Sequence, residues 1–149
     1  MNEFVRKVIL IAFLLVFGVV SLRAQTNVIP DSVEFAVLKK LYDSLGGSGW
    51  TNKANWPTPG NWPTGATSSV FDTWYGITVQ NGDITQITLT SNNLIGQLPG
   101  SISQLGKLKY LYLGSNSISG SIPSSFGSLA SLTHLQLHNN QLTNKRKVT

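Results

Sequence analysis

His134 and His138 are the only imidazoles in the chain. On a helix their i, i+4 spacing would make a metal-binding pair. Along a strand the same spacing sets them roughly 13 Å apart at ~3.3 Å per residue, too far to share one ion. The acidic residues beyond the first 24 are Asp31, Glu34, Asp43, Asp72 and Asp83, and none is spaced to work with either histidine. There is no cysteine, so the chain has neither thiolate chemistry nor a disulfide framework. Neither G-x-S-x-G nor H-E-x-x-H occurs. GSISQLGKL, Gly100 to Leu108, approaches a phosphate loop, but its glycine spacing is one residue too long and Leu108 stands where Ser or Thr is required. The expectation is a protein that is not an enzyme and needs no metal or cofactor.

The remaining candidates for chemistry are aromatic. Trp50, Trp56, Trp62 and Trp74 all fall in or beside one Gly/Pro/Thr-rich stretch, and Tyr110 and Tyr112 alternate along a later one. Exposed rings of this kind stack on sugars or anchor protein partners; buried ones fill a core. Core filling is the expectation for the tryptophans, with Trp62, between Asn61 and Pro63, as the exception.

These residues are positioned by a repeat. ITQITLTSNNLIGQLPGSISQLGK (84–107), LKYLYLGSNSISGSIPSSFGSLAS (108–131) and LTHLQLHNNQLTN (132–144) align at an offset of 24 residues. Ile84, Leu108 and Leu132 share a column, as do Ile87, Leu111 and Leu135, then Leu89, Leu113 and Leu137. Asn92, Asn116 and Asn140 share another, followed by Leu94, Ile118 and Leu142. Gly96 matches Gly120, Pro99 matches Pro123, Ile102 matches Phe126 and Leu105 matches Leu129. Alternation within L-x-L points Ile87, Leu89 and their equivalents inward from a short strand. The Asn amides are placed to bond backbone groups that a buried turn leaves unpaired.

The pattern L-x-x-L-x-L-x-x-N-x-L-x-G-x-[IL]-P resembles the leucine-rich-repeat family in its 24-residue form. The resemblance implies an α/β solenoid, a right-handed superhelix with short parallel strands, and an N-terminal helix-plus-hairpin cap. Residues 25–83 fit the cap. DSVEFAVLKKLYDSLGG reads as a helix with Asp31 and Glu34 at capping-box spacing, Phe35, Leu38, Leu41, Tyr42 and Leu45 on one face, and Gly46-Gly47 as its stop. WYGITV and DITQITL are two β runs joined at Asn81-Gly82, a hairpin signal. The helix, G-x-x-W and W-x-G-[IV] resemble the family's cap. Asp72 and Val79 replace the cysteines of plant members, which implies a bacterial form held by aromatic packing.

Outward positions of the repeat strands form a grid. One column is Gln86, Tyr110 and His134; the next is Thr88, Tyr112 and Gln136; the third is Thr90, Gly114 and His138. With strands ~4.8 Å apart, Tyr110, Tyr112, His134 and Gln136 make one patch. The resemblance puts partner binding on this concave face, with a protein or peptide as partner. A glycan, bound there or by the cap tryptophans, is the first alternative; a purely architectural segment of a longer surface protein is the second.

The ends bound location and size. Arg6 and Lys7 precede the 13-residue apolar run Val8 to Val20, and Ala24 precedes a plausible cut, so 1–24 reads as a signal peptide. A retained anchor needs roughly 20 apolar residues. Either way the remainder, secreted or at the cell surface, touches membrane only through that segment. Removing it lowers the formal charge from +5 to +3, and three of the remaining basic residues, Lys145, Arg146 and Lys147, lie in the tail 145–149. No phosphate-spaced basic stripe remains to suggest nucleic acid. Repeats occupy 84–144, two complete and one partial. Three readings of that partial repeat stay open: part of a longer protein, a small secreted module, or end-to-end association through the last strand.

Overall fold

The computed structural model describes residues 32–63 and 68–143. Residues 1–24, expected to be a signal peptide, Asp31 of the expected capping box and the basic tail lie outside the described residues. Among those described, no helix is long and apolar enough to cross a membrane.

Helix α1 spans Ser32–Ser44. It buries Val37, Leu38, Leu41 and Tyr42, with Leu45 just past its end and Phe35 half-buried at the margin. Val37 widens the apolar stripe beyond the spacing read from sequence. Glu34 is buried and its Oε1 accepts the N–H of Ile84 at 3.0 Å, tying the first turn of α1 to the start of the repeats. The helix stops where Gly46 enters the left-handed region (φ 67°), a conformation that costs glycine little.

Strands β1 (Ile77–Gln80) and β2 (Asp83–Thr88) form the antiparallel hairpin that Asn81-Gly82 signals. Both turn residues have positive φ, 55° and 91°, as a type I′ turn requires. β2 then pairs in parallel with β4 (Tyr110–Tyr112), and β4 with β6 (His134–Gln136), giving the sheet order β1-β2-β4-β6. A second parallel sheet, which the sequence pattern does not announce, joins β3 (Ile95–Gln97), β5 (Ser117–Gly120) and β7 (Gln141–Leu142). Between them Pro99 and Pro123 precede short 3-10 helices, Gly100–Gln104 and Ser124–Ser128.

The core lies between the two sheets. Ile84, Ile87, Leu89, Leu94, Ile102, Leu105, Leu108, Leu111, Leu113 and Ile118 are wholly buried. Burial fades along each column toward the last coil: Leu111 is 0% exposed and its equivalent Leu135 is 42% exposed. Leu132, Leu137 and Leu142 are only partly buried. Each coil covers its predecessor, so the last has one uncovered side among the described residues.

At the other side, residues 45–56 dock where a preceding coil would lie. Leu45 O accepts from Ile95 N–H at 3.1 Å, and Asn92 O accepts from Thr51 N–H at 3.2 Å. Behind them Trp50, Trp56, Trp74 and Phe71 are buried with Tyr42. Gly96 (φ 133°) passes so close to the Ser44 carbonyl that a Cβ there would overlap it.

Candidate functional site

Parallel register brings the grid together. Gln86 lies opposite Tyr110 and Tyr110 opposite His134; Thr88 lies opposite Tyr112 and Tyr112 opposite Gln136. The ring centroids of Tyr110 and His134 are 5.0 Å apart and those of Tyr110 and Tyr112 are 6.1 Å apart, both pairs tilted. These distances fall in the range of favourable ring contacts. Gln86 Nε2 donates to Thr88 Oγ1 at 2.9 Å, so one end of the patch is internally satisfied.

The third column is held differently. Beyond the strands the coils stay bonded: Ser91 N–H donates to Gly114 O at 3.0 Å and Ser115 N–H to His138 O at 2.9 Å. The His138 ring lies against Gly114, where a Cβ would meet ring carbon Cε1 at 2.6 Å. The missing side chain at 114 is the slot for the ring. His134 and His138 thus occupy different columns of the face, one against a tyrosine and one against backbone. Among the described residues no three His, Asp or Glu side chains gather to hold a metal ion.

A column missed in the sequence is Thr85, Lys109 and Thr133, the residue before each outward-facing one. Lys109 O accepts from Thr133 N–H at 2.9 Å, His134 N–H at 3.1 Å and Thr133 Oγ1 at 3.1 Å. Thr133 Oγ1 is also 2.9 Å from His134 Nδ1. The only available signal was the first x of L-x-x-L, which reads as an ordinary solvated position.

What holds the face rigid is the asparagine ladder beneath it. Asn116 Oδ1 accepts from Asn92 N–H at 2.9 Å and Leu94 N–H at 3.0 Å. Its Nδ2 donates to Leu89 O, Leu113 O and Gly114 O at 2.9–3.1 Å. Asn140 repeats the arrangement one coil on, with Ile118 N–H, Leu113 O, Leu137 O and His138 O. Asn92 instead bonds both backbone groups of Asn52. A family description, "Leucine rich repeat", matches residues 83–142. Residues 83–142 belong to the leucine-rich-repeat family.

No curated protein matches this leucine-rich-repeat chain. Solved structures do. The BIR2 ectodomain from Arabidopsis thaliana superposes with a TM-score of 0.62 at 26% identity, over 73% of this chain and 56% of that one. The BIR3–SERK2 complex from the same plant gives 0.58 at 26% identity, over 73% and 57%. The ectodomain of the plant receptor kinase GASSHO1/SCHENGEN3, in complex with CASPARIAN STRIP INTEGRITY FACTOR 2, gives 0.50 at 25% identity, over 74% and 12%. This chain spans just over half the length of the first two.

The tryptophans pack chiefly into the aromatic core beside the first coil. Trp50, Trp56 and Trp74 are buried. Trp62 is partly buried, edge-on to Phe35, Tyr42 and Trp74, and Lys39 Nζ sits 5.5 Å from its ring centre. The ammonium lies over one face of that ring, a cation–π contact.

Proposed function

We propose that this leucine-rich-repeat chain is a non-catalytic binding module, acting outside the cytoplasm, that recognises a protein or peptide partner through its concave strand face. Tyr110 and Tyr112 are its anchors, and Gln86, Thr88, His134, Gln136 and His138 its polar contacts. The observation that carries this reading is the Tyr110–Tyr112–His134 cluster: two partly exposed tyrosine rings beside an exposed imidazole, on a sheet fixed by the Asn ladder. Rigid tyrosines give contact area at low entropic cost. Support also comes from two similar folds solved as complexes, BIR3 with SERK2 and GASSHO1/SCHENGEN3 with its factor.

In this reading residues 25–83 serve as the cap of a right-handed superhelix, residues 1–24 direct export with cleavage after Ala24, and neither cofactor nor nucleic acid takes part. The test is Tyr112→Ala. Binding to a peptide selected on the chain should weaken at least about tenfold while far-ultraviolet circular dichroism stays unchanged. Selected peptides whose binding ignores Tyr112→Ala would overturn the assignment of the face.

A further inference from the structure

Asn81 is set apart from the other described asparagines. Asn92, Asn116 and Asn140 have their amides fixed in the ladder. Asn55 Nδ2 donates to Thr73 O at 2.6 Å and Asn93 Nδ2 to Gly49 O at 2.9 Å. Asn52, Asn61 and Asn139 are also bonded through their side chains. The Asn81 amide has no hydrogen-bond partner among the described residues, and the residue is exposed. It also heads the one Asn-Gly pair in the chain.

Its position in the fold adds to this. Asn81 and Gly82 are the two central residues of the β1–β2 loop, flanked by the paired Gln80 and Asp83. The Gly82 N–H donates to no described residue, and without a Cβ nothing of its own side chain shields that nitrogen. β1 is an edge strand of its sheet, and its register slips between Thr78 and Val79. Opening of a loop at such an edge costs far less than global unfolding. The Gly82 nitrogen and Asn81 Cγ belong to adjacent residues, so a reaction between them is intramolecular and needs no bound reagent.

We propose that Asn81 is a self-modifying site of the folded protein: the Gly82 nitrogen attacks Asn81 Cγ, the side-chain amide leaves as ammonia, and water converts the residue to aspartate or isoaspartate. The Gly82 nitrogen first gives its proton to hydroxide and then bonds to Cγ. The bond from Cγ to Nδ2 breaks, and Nδ2 leaves as ammonia with a proton from water, which restores the hydroxide. Water then opens the five-membered imide, returning a hydrogen to the Gly82 nitrogen. Opening at Cγ gives aspartate; opening at the main-chain carbonyl carbon of Asn81 gives isoaspartate. One water enters, one ammonia leaves, and nothing is oxidised or reduced. Either product adds a carboxylate two residues from Asp83. Isoaspartate also lengthens the main chain by one atom. A two-residue loop has no slack for it, so the Gln80–Asp83 pairing is lost first. The inference does not depend on what the concave face binds.

The test is incubation of the full chain at 37 °C and at pH 6.5 and 8.5, followed by intact mass and by peptide mapping with electron-transfer fragmentation, which separates aspartate from isoaspartate. Ammonia loss should begin at Asn81 before any other asparagine. It should run several-fold faster at pH 8.5, because the Gly82 nitrogen must lose its proton, and isoaspartate should be among the products. Asn81→Gly retains the glycine preference of the turn and removes Cγ; it should abolish the reaction at this position with an unchanged far-ultraviolet circular dichroism spectrum. The isoaspartate form should exchange the amide hydrogens of 77–86 faster than the fresh chain. Asn81 left intact in the folded chain while guanidinium-unfolded chain loses its amide there would overturn the inference. So would modification that begins at another asparagine, or a rate at Asn81 that does not respond to pH.

Discussion

Replacing Asn116 by alanine removes a side chain that is polar, only part-buried and far from any catalytic motif, yet the structure makes it the most damaging single truncation of the ladder. Its Oδ1 is the acceptor for Asn92 N–H and Leu94 N–H at 2.9 and 3.0 Å, and its Nδ2 donates to three carbonyls, Leu89, Leu113 and Gly114. A buried donor left without its acceptor costs about 1–3 kcal/mol, and each weakened carbonyl about 0.5–1 kcal/mol. Water entering the half-buried site recovers part of this, so the expected loss is roughly 3–4 kcal/mol, against the 5–15 kcal/mol of a typical domain. With a urea m-value near ~2 kcal/mol per molar, the midpoint should fall by about 1.5–2 M. Asn116→Asp is the sharper variant. It keeps the size and the acceptor oxygen but turns a second oxygen toward three carbonyls, so it should destabilise at least as much as alanine. Asn140→Ala, on the uncovered coil, should cost about half as much. The assay is urea unfolding followed by circular dichroism and tryptophan fluorescence. A loss below about 1 kcal/mol for Asn116→Ala at unchanged m-value, or a neutral Asn116→Asp, would refute the ladder argument.

Two other variants probe the core and the N-terminal aromatic cluster. Leu111→Ala should cost about 2–5 kcal/mol because its site is wholly enclosed, whereas the equivalent Leu135→Ala, 42% exposed, should cost under about 1 kcal/mol; equal losses would show that the last coil is covered in solution. Burial, and secondarily the Asp43 carboxylate, push the Tyr42 hydroxyl above the ordinary tyrosine value of 10.0. The unfolded chain then releases this proton first, so the contribution of Tyr42 is present below about pH 10 and is lost as pH rises beyond it. Stability should fall above that pH in the native chain and more shallowly in Tyr42→Phe; parallel pH curves for the two would contradict the assignment.

Much of the fold was legible because the core writes itself at a fixed period. Ile87 and Leu111, 24 residues apart in one column, are both wholly buried, and Asn81-Gly82 marks the hairpin by a backbone requirement few other pairs meet. Tyr110 and Tyr112 could be placed on one face from alternation alone, and the register of β2, β4 and β6 pairs them with Gln86, Thr88, His134 and Gln136 as the columns predict. The second sheet was not legible. Ile95–Gln97 and Ser117–Gly120 are short, polar and interrupted by glycines with positive φ. Their pairing comes from stacking of whole coils rather than from any local pattern. The Thr133–His134–Lys109 arrangement was invisible for a related reason: it depends on which carbonyl a hydroxyl reaches across a coil, which residue types do not encode. Trp62 was the tryptophan expected to stand out, and it is the least buried of the four. The lysine over its ring comes from Lys39, 23 residues earlier, and reaches it only through the packing of α1.

Hydrogen–deuterium exchange of the chain with and without a peptide selected on it tests the central claim most directly. Recognition through the concave face predicts added protection in peptides covering residues 86–90, 110–114 and 134–138, with little change elsewhere. Protection confined to the second sheet, 95–97, 117–120 and 141–142, or to the tryptophan-rich segment 50–62, would place binding on another surface and contradict the account.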